Sequence, residues 1–214
     1  MMKRIILVLM CLLICGCEQE IITGVAKPTQ GIAFYVDFRS SVDKDDDGVD
    51  DATDIVKSVR SYVATDPIYK SAYYAGGYPN DGHGVCTDVV AFGCRGAGYD
   101  LRDLVDEHIR NNRNLYNIQY VDSNIDYRRV SNLLVFFRQN FIELTTDPTQ
   151  IEQWKPGDIL VMDEHVGIVS DKRTVKGIPL VIHHTEKDPH IREENLIETR
   201  TDIVAHFRVS PSIK

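Results

Sequence analysis

The sequence predicts a mixed α+β domain in which a helix that begins with a cysteine packs on an antiparallel β-sheet. From Cys86 onward, Val89, Val90, Gly93, Cys94 and Ala97 recur at the spacing of one helix face. Between Trp154 and His184, short apolar runs separated by turn-forming residues read as consecutive strands. The chain has 214 residues, 43% of them apolar, enough for one domain with its own core plus ancillary sequence.

The N-terminus, MMKRIILVLMCLLICGCEQE, places two basic residues before an apolar run that stops at small residues. The run is about half of the roughly 20 residues a membrane-spanning helix needs, so it reads as an export signal rather than a permanent span. Ile14-Cys15-Gly16-Cys17 resembles the lipobox of bacterial lipoproteins. That resemblance implies a signal peptide over residues 1–16 and a lipid-modified Cys17. The mature protein is then an extracytoplasmic, membrane-anchored lipoprotein of the cell envelope, with residues 17–42 as anchor and tether. A plain secretory signal is the alternative and gives the same side of the membrane. Loss of Lys3 and Arg4 with the signal moves the formal charge from -8 to -10. With no basic stripe to neutralise phosphates, nucleic acid is excluded as a partner. A short strand is expected from Ile32 to Phe38.

The stretch SVDKDDDGVDDATD follows. Counting Asp43 as the first position, carboxylates stand at 1, 3, 5, 9 and 12 (Asp43, Asp45, Asp47, Asp51 and Asp54), Gly48 at 6 and the Val49 carbonyl at 7. This is the spacing of an EF-hand-like calcium loop over residues 43–54, with Asp in place of the terminal Glu. The expected cofactor is a structural Ca²⁺; the competing reading is an acidic solvated linker. A helical pattern through Ile55, Val56, Val59, Tyr62 and Val63 opens the main domain, residues 55–214.

Gly76 to Gly84 is too rich in glycine and proline for regular structure, so the next helix must start at about Cys86. Eight residues along a helix separate Cys86 from Cys94 by roughly 12 Å, beyond the roughly 7 Å limit for a disulfide. No second Cys or His pair at short spacing supports zinc. Cys94, mid-helix on the apolar face, reads as a core residue. Cys86 sits in the first turn, where the helix dipole and unpaired N–H groups favour a thiolate. It is either a nucleophile or a second buried thiol. A further helix, Leu101 to Ile109, begins at Asp100 as N-cap and carries His108 on its apolar face.

Three strands are expected after Pro156-Gly157: Asp158 to Met162, His165 to Ser170, and Pro179 to His184. His165, Gly167 and Val169 share one face, and the bare Gly167 lets a neighbour approach beside the histidine. His183 and His184 point to opposite faces, so one of them is expected to face His165 and orient it as a base. His83 and His190 fall in loop-like sequence, and His206 lies in a closing strand, Ile203 to Val209.

A cysteine at a helix start after a Gly-rich loop, then PGD, then HVGIVSD, then a strand ending VIHHT, resembles the NlpC-type cell-wall cysteine peptidases of the papain-like superfamily. The resemblance covers roughly residues 70 to 185. It implies a papain-like fold, Cys86 as nucleophile, His165 as base and His183 as its orienter. Tyr73 and Asp88 are its candidates for substrate contact. At the cysteine the chain departs from the peptidases, carrying VCTDV where they carry DCSGF. That variant, with NIDYRRVSNLLVFF at Asn124 to Phe137, resembles more closely an uncharacterised family of exported bacterial proteins bearing a domain of unknown function. The expected activity is hydrolysis of an amide bond, with peptidoglycan stem peptides as the substrate class. The alternatives are a non-catalytic envelope scaffold lipoprotein and an amidase or acyltransferase on another amide.

Overall fold

The computed structural model describes residues 34–210. The expected signal peptide, Cys17 and most of the tether lie outside the described residues. No helix among the described residues is long and apolar enough to cross a membrane.

Strand β1 is Phe34–Tyr35, inside the expected Ile32 to Phe38, whose first two residues lie outside the described ones, and pairs with the far end of β6. Helix α1 (Asp51–Ala64) starts where Asp50 accepts the Thr53 N–H, and buries Ile55, Val59, Tyr62 and Val63 along one side. Two short segments, β2 (Ile68–Tyr69) and β3 (His83–Gly84), pair in parallel across the glycine-rich loop. Helix α2 (Cys86–Gly96) begins at Cys86 as the sequence requires, and α3 (Leu101–Asn111) is capped by Asp100. Helix α4 (Val130–Asn140) inserts Leu133, Phe136 and Phe137 into the core.

The sheet runs β4-β9-β5-β6-β7-β8, with β4 (Ile142–Leu144) and β8 (Asp188–Glu194) at its two sides. Its centre is formed by β5 (Ile159–Met162), β6 (Val166–Arg173) and β7 (Pro179–Thr185). The one-turn helix α5 (Leu196–Thr199) leads into β9 (Ile203–Arg208). All pairings in this sheet are antiparallel. Strand β8 is a correction to the sequence reading, which left His190 in a loop. Asp188, Pro189 and three further charged residues mask the period-two pattern there.

The two faces of the sheet are packed differently. Val166, Ile168 and Ile182 join Cys86, Val90 and Val59 in the larger core under α1 and α2. Leu160, Met162, Val169 and Val181 pack instead with Trp154, Leu196 and Ile197. Asp158 ties the sheet to its closing strand: fully buried, it accepts from His206 Nε2 at 2.9 Å and from Arg208 at 2.7 Å. His206 in turn stacks on Trp154.

Strand β7 crosses Gly167 so closely that a Cβ there would lie 2.7 Å from a Val181 methyl and 2.8 Å from the Ile182 carbonyl oxygen. The backbone oxygen cannot swing away as a side-chain tip can. Gly167→Ala is therefore expected to cost about 1–3 kcal/mol. At Gly76, where an added Cβ meets nothing within 4 Å, the same change should be close to neutral. Urea unfolding midpoints of the two variants check this.

Candidate functional site

The start of α2 is fixed by a carboxylate inside the protein. Asp88, in the first turn, accepts the Val85 N–H at 2.8 Å and so satisfies a donor at the helix N-terminus. Both its oxygens also take the Arg128 guanidinium, each at 2.8 Å, in a bidentate pair whose side chains are 0% and 2% exposed. Arg128 comes from the turn Asp126–Arg128, lies over the Tyr74 ring and donates to the Ala72 carbonyl at 2.5 Å. Asp88 was expected at the substrate. Its complete burial and spent acceptors assign it instead to holding the helix that carries Cys86.

Cys86 is 8% exposed and Cys94 is fully buried; both are free thiols. Burial dominates at Cys86 and pushes its pKa up to about 11, against the opposing pull of N–H groups from Val166, Thr87 and its own residue. The helix-dipole expectation of a thiolate is therefore overridden in the free protein: the sulfur is a neutral thiol. The pull of the Val166 N–H puts the sulfur near the first residue of β6, and the two residues share the larger core. Tyr69 lies near the sulfur, and its phenol pKa is raised by burial first and by Cys86 second.

The histidines divide by strand alternation. His165 Nε2 lies 2.8 Å from His183 Nδ1, with the rings edge to face. His183 is thus the partner of His165, as the family resemblance favoured. Glu194, across β8, brings Oε1 to 3.4 Å from His183 Nε2, and that nitrogen is buried without a hydrogen bond. With a proton on His183 Nε2 facing Glu194, His183 Nδ1 accepts from His165 Nε2–H, and the lone pair of His165 falls on Nδ1. Burial, then the neighbouring His183, lowers the His165 pKa to about 3, so its imidazole is neutral. His184 shares the alternation of Ile182, on the Cys86 side of the sheet. Its Nε2 lies 2.9 Å from the Pro189 carbonyl oxygen, its ring meets Tyr69 edge to face, and its Nδ1 is buried without a partner.

His165 and His183 line a cleft of about 530 Å³ with Asp163, Glu164, Lys187 and Arg200. Cys86 is not among the residues that line it. Tyr73 is exposed on the glycine-rich loop, its hydroxyl accepting from Asn124 Nδ2 at 3.0 Å. Of the expected metal ligands, Asp43, Asp45 and Asp47 converge. Asp51 does not join them: one oxygen accepts the Lys44 N–H at 2.8 Å and the other the Tyr99 hydroxyl at 2.5 Å. Sequence reasoning missed Glu194 because its strand was not read as one. Had the period-two pattern of β8 been followed from Ile191, Glu194 would have been placed on a common face with Arg192.

These features define a mixed α+β domain with a free thiol at a helix start and a hydrogen-bonded histidine pair at the rim of a cleft. The chain belongs to the family described as Domain of unknown function (DUF1287), which matches residues 56–209. It is 34% identical over 161 residues to the uncharacterized protein YijF of Escherichia coli (strain K12), covering 71% of this chain and 77% of that protein. No solved structure matches significantly.

Removing one partner of the Asp88–Arg128 pair leaves a buried uncompensated charge. Arg128→Met is expected to cost about 3–5 kcal/mol, read from urea denaturation. The histidines set a pH window. Lowered folded pKa values at His165 and His184 mean that the unfolded chain binds more protons below about pH 6.5. Their contribution is intact above that pH and is lost progressively as pH falls toward 3. A Tm series from pH 7 to 4 should show this decline, shallower in His165→Gln.

Proposed function

We propose that this chain is an exported cysteine hydrolase of papain-like arrangement that cleaves an amide bond, with peptidoglycan stem peptides as its substrate class. In this reading the mature protein is a lipoprotein held at the membrane through Cys17. The observations that carry the proposal are a free thiol in the first turn of α2, drawn on by the Val166 N–H, and a neutral imidazole, His165, whose Nε2 is bonded to His183. The mixed charges around the cleft suit a peptide that bears both amino and carboxylate groups.

The Cys86 thiol gives its proton to His165 Nδ1 as the sulfur attacks the carbonyl carbon. N–H groups at the start of α2 and at Val166 stabilise the oxyanion. The C–N bond breaks as His165 returns the proton to the leaving amine, and water then hydrolyses the thioester by the same base. Thiol and imidazole are both neutral in the free protein, so the proton moves as the sulfur attacks rather than beforehand.

A second reading is a non-catalytic envelope scaffold that keeps this fold without turnover. The burial of Cys86 and its pKa near 11 favour it. Digestion of purified peptidoglycan, with soluble fragments identified by mass, separates the two. Wild type is expected to release fragments, and Cys86→Ala and His165→Ala to reduce release on the order of 10³-fold or more while remaining folded. Unchanged release by Cys86→Ala sinks the mechanism. No release by wild type, with Cys86 as resistant to iodoacetamide as Cys94, establishes the scaffold.

A further inference from the structure

We propose that the loop from Asp43 to Asp54 is a calcium-binding site that fastens the start of α1 to the turn between α2 and α3. Asp43, Asp45 and Asp47 each bring a carboxylate oxygen to within 4.8 Å of the others. That cluster alone would be an ordinary acidic surface. The independent observation is Asp54, in the first turn of α1: it is 9% exposed, and its Oδ2 is buried with no hydrogen-bond partner. An unpaired carboxylate oxygen in such a position is costly unless a cation satisfies it. Asp47 and Asp45 are among the charged neighbours close enough to act on it.

The backbone is already shaped around a central point. Asp46 and Gly48 take positive φ angles of 57° and 89°, turning the chain so that the Gly48 N–H reaches Asp43 Oδ2 at 3.0 Å and the Asp47 N–H reaches Oδ1 at 3.2 Å. Asp43 is thereby aimed from its backbone side, leaving its remaining lone pairs for an ion. Four carboxylate ligands, the Val49 carbonyl that the spacing supplies and water complete an oxygen shell suited to Ca²⁺. Asp51, excluded from the shell, does other work: through Lys44 and Tyr99 it binds the loop to the core. Gly98, in the turn after α2, abuts the loop, since a Cβ there would lie 3.0 Å from that of Asp45. An ion that draws Asp45 and Asp54 together therefore clamps both helices at one point.

The test uses the mature-length protein stripped with EDTA. Adding CaCl₂ from 10 µM to 10 mM is expected to raise Tm saturably, with half-saturation on the order of 10⁻⁴–10⁻³ M, the range of extracellular calcium modules. Tb³⁺ is expected to show sensitised emission that Ca²⁺ displaces. Asp54→Asn keeps the shape and removes the charge; it should fold without metal and weaken Ca²⁺ at least about tenfold. No Tm response to Ca²⁺, an equal response to Mg²⁺, or unchanged Ca²⁺ affinity in Asp54→Asn overturns the assignment. Because Tm and Tb³⁺ emission do not depend on turnover, the outcome is independent of the catalytic proposal.

Discussion

The buried ion pair between Asp88 and Arg128 is the constraint on which the rest of the site depends. Two opposite charges removed from water are tolerated only when their geometry is good and their remaining hydrogen-bonding capacity is used. Both conditions hold, since Asp88 also caps the Val85 N–H and Arg128 also binds the Ala72 carbonyl. The pair therefore joins three stretches: the segment at Ala72 just after β2, the first turn of α2 and the turn before α4. The position of Cys86 follows from that junction. The sulfur belongs to a first helix turn that cannot shift without leaving a charge stranded inside the protein.

Around that fixed sulfur, protons are held by groups tuned away from charge. Burial raises the thiol and lowers His165, so the resting state is neutral on both sides. Glu194 faces His183, and His183 is hydrogen-bonded to His165, a series that holds the His165 imidazole in one orientation. The same sheet carries a second imidazole, His184, on its other face. Adjacent residues in a strand thus serve separate surroundings, one open to a cleft and one sealed beneath Tyr69.

Much of this was legible in the sequence. Helix starts at Cys86 and Leu101 were readable because glycine, proline and an N-cap Asp leave few alternatives. The strands from Asp158 to His184 were readable from turn residues and apolar runs. Helix α4 was not singled out, because its apolar residues are interrupted by Asn132 and Arg138 and nothing local announces its packing. Strand β8 was hidden by charge. The roles of Asp88 and Asp51 were misjudged for one reason: a carboxylate reads as available for ligands, whereas burial depends on partners 40 or more residues away, Arg128 and Tyr99. The thiol's ionisation was misjudged similarly, since the helix dipole is a local effect and desolvation is a tertiary one.

The composition of β8 has a further consequence. A sheet ends in a row of unsatisfied backbone groups that can recruit another chain, and proteins suppress this with proline, charge or very short terminal strands. Here one boundary strand, β8, carries Pro189 and mostly charged residues, and the other, β4, is only three residues long. The features that concealed β8 from pattern reading are those that discourage self-templated aggregation, so the molecule can display a seven-stranded sheet without propagating it into its neighbours.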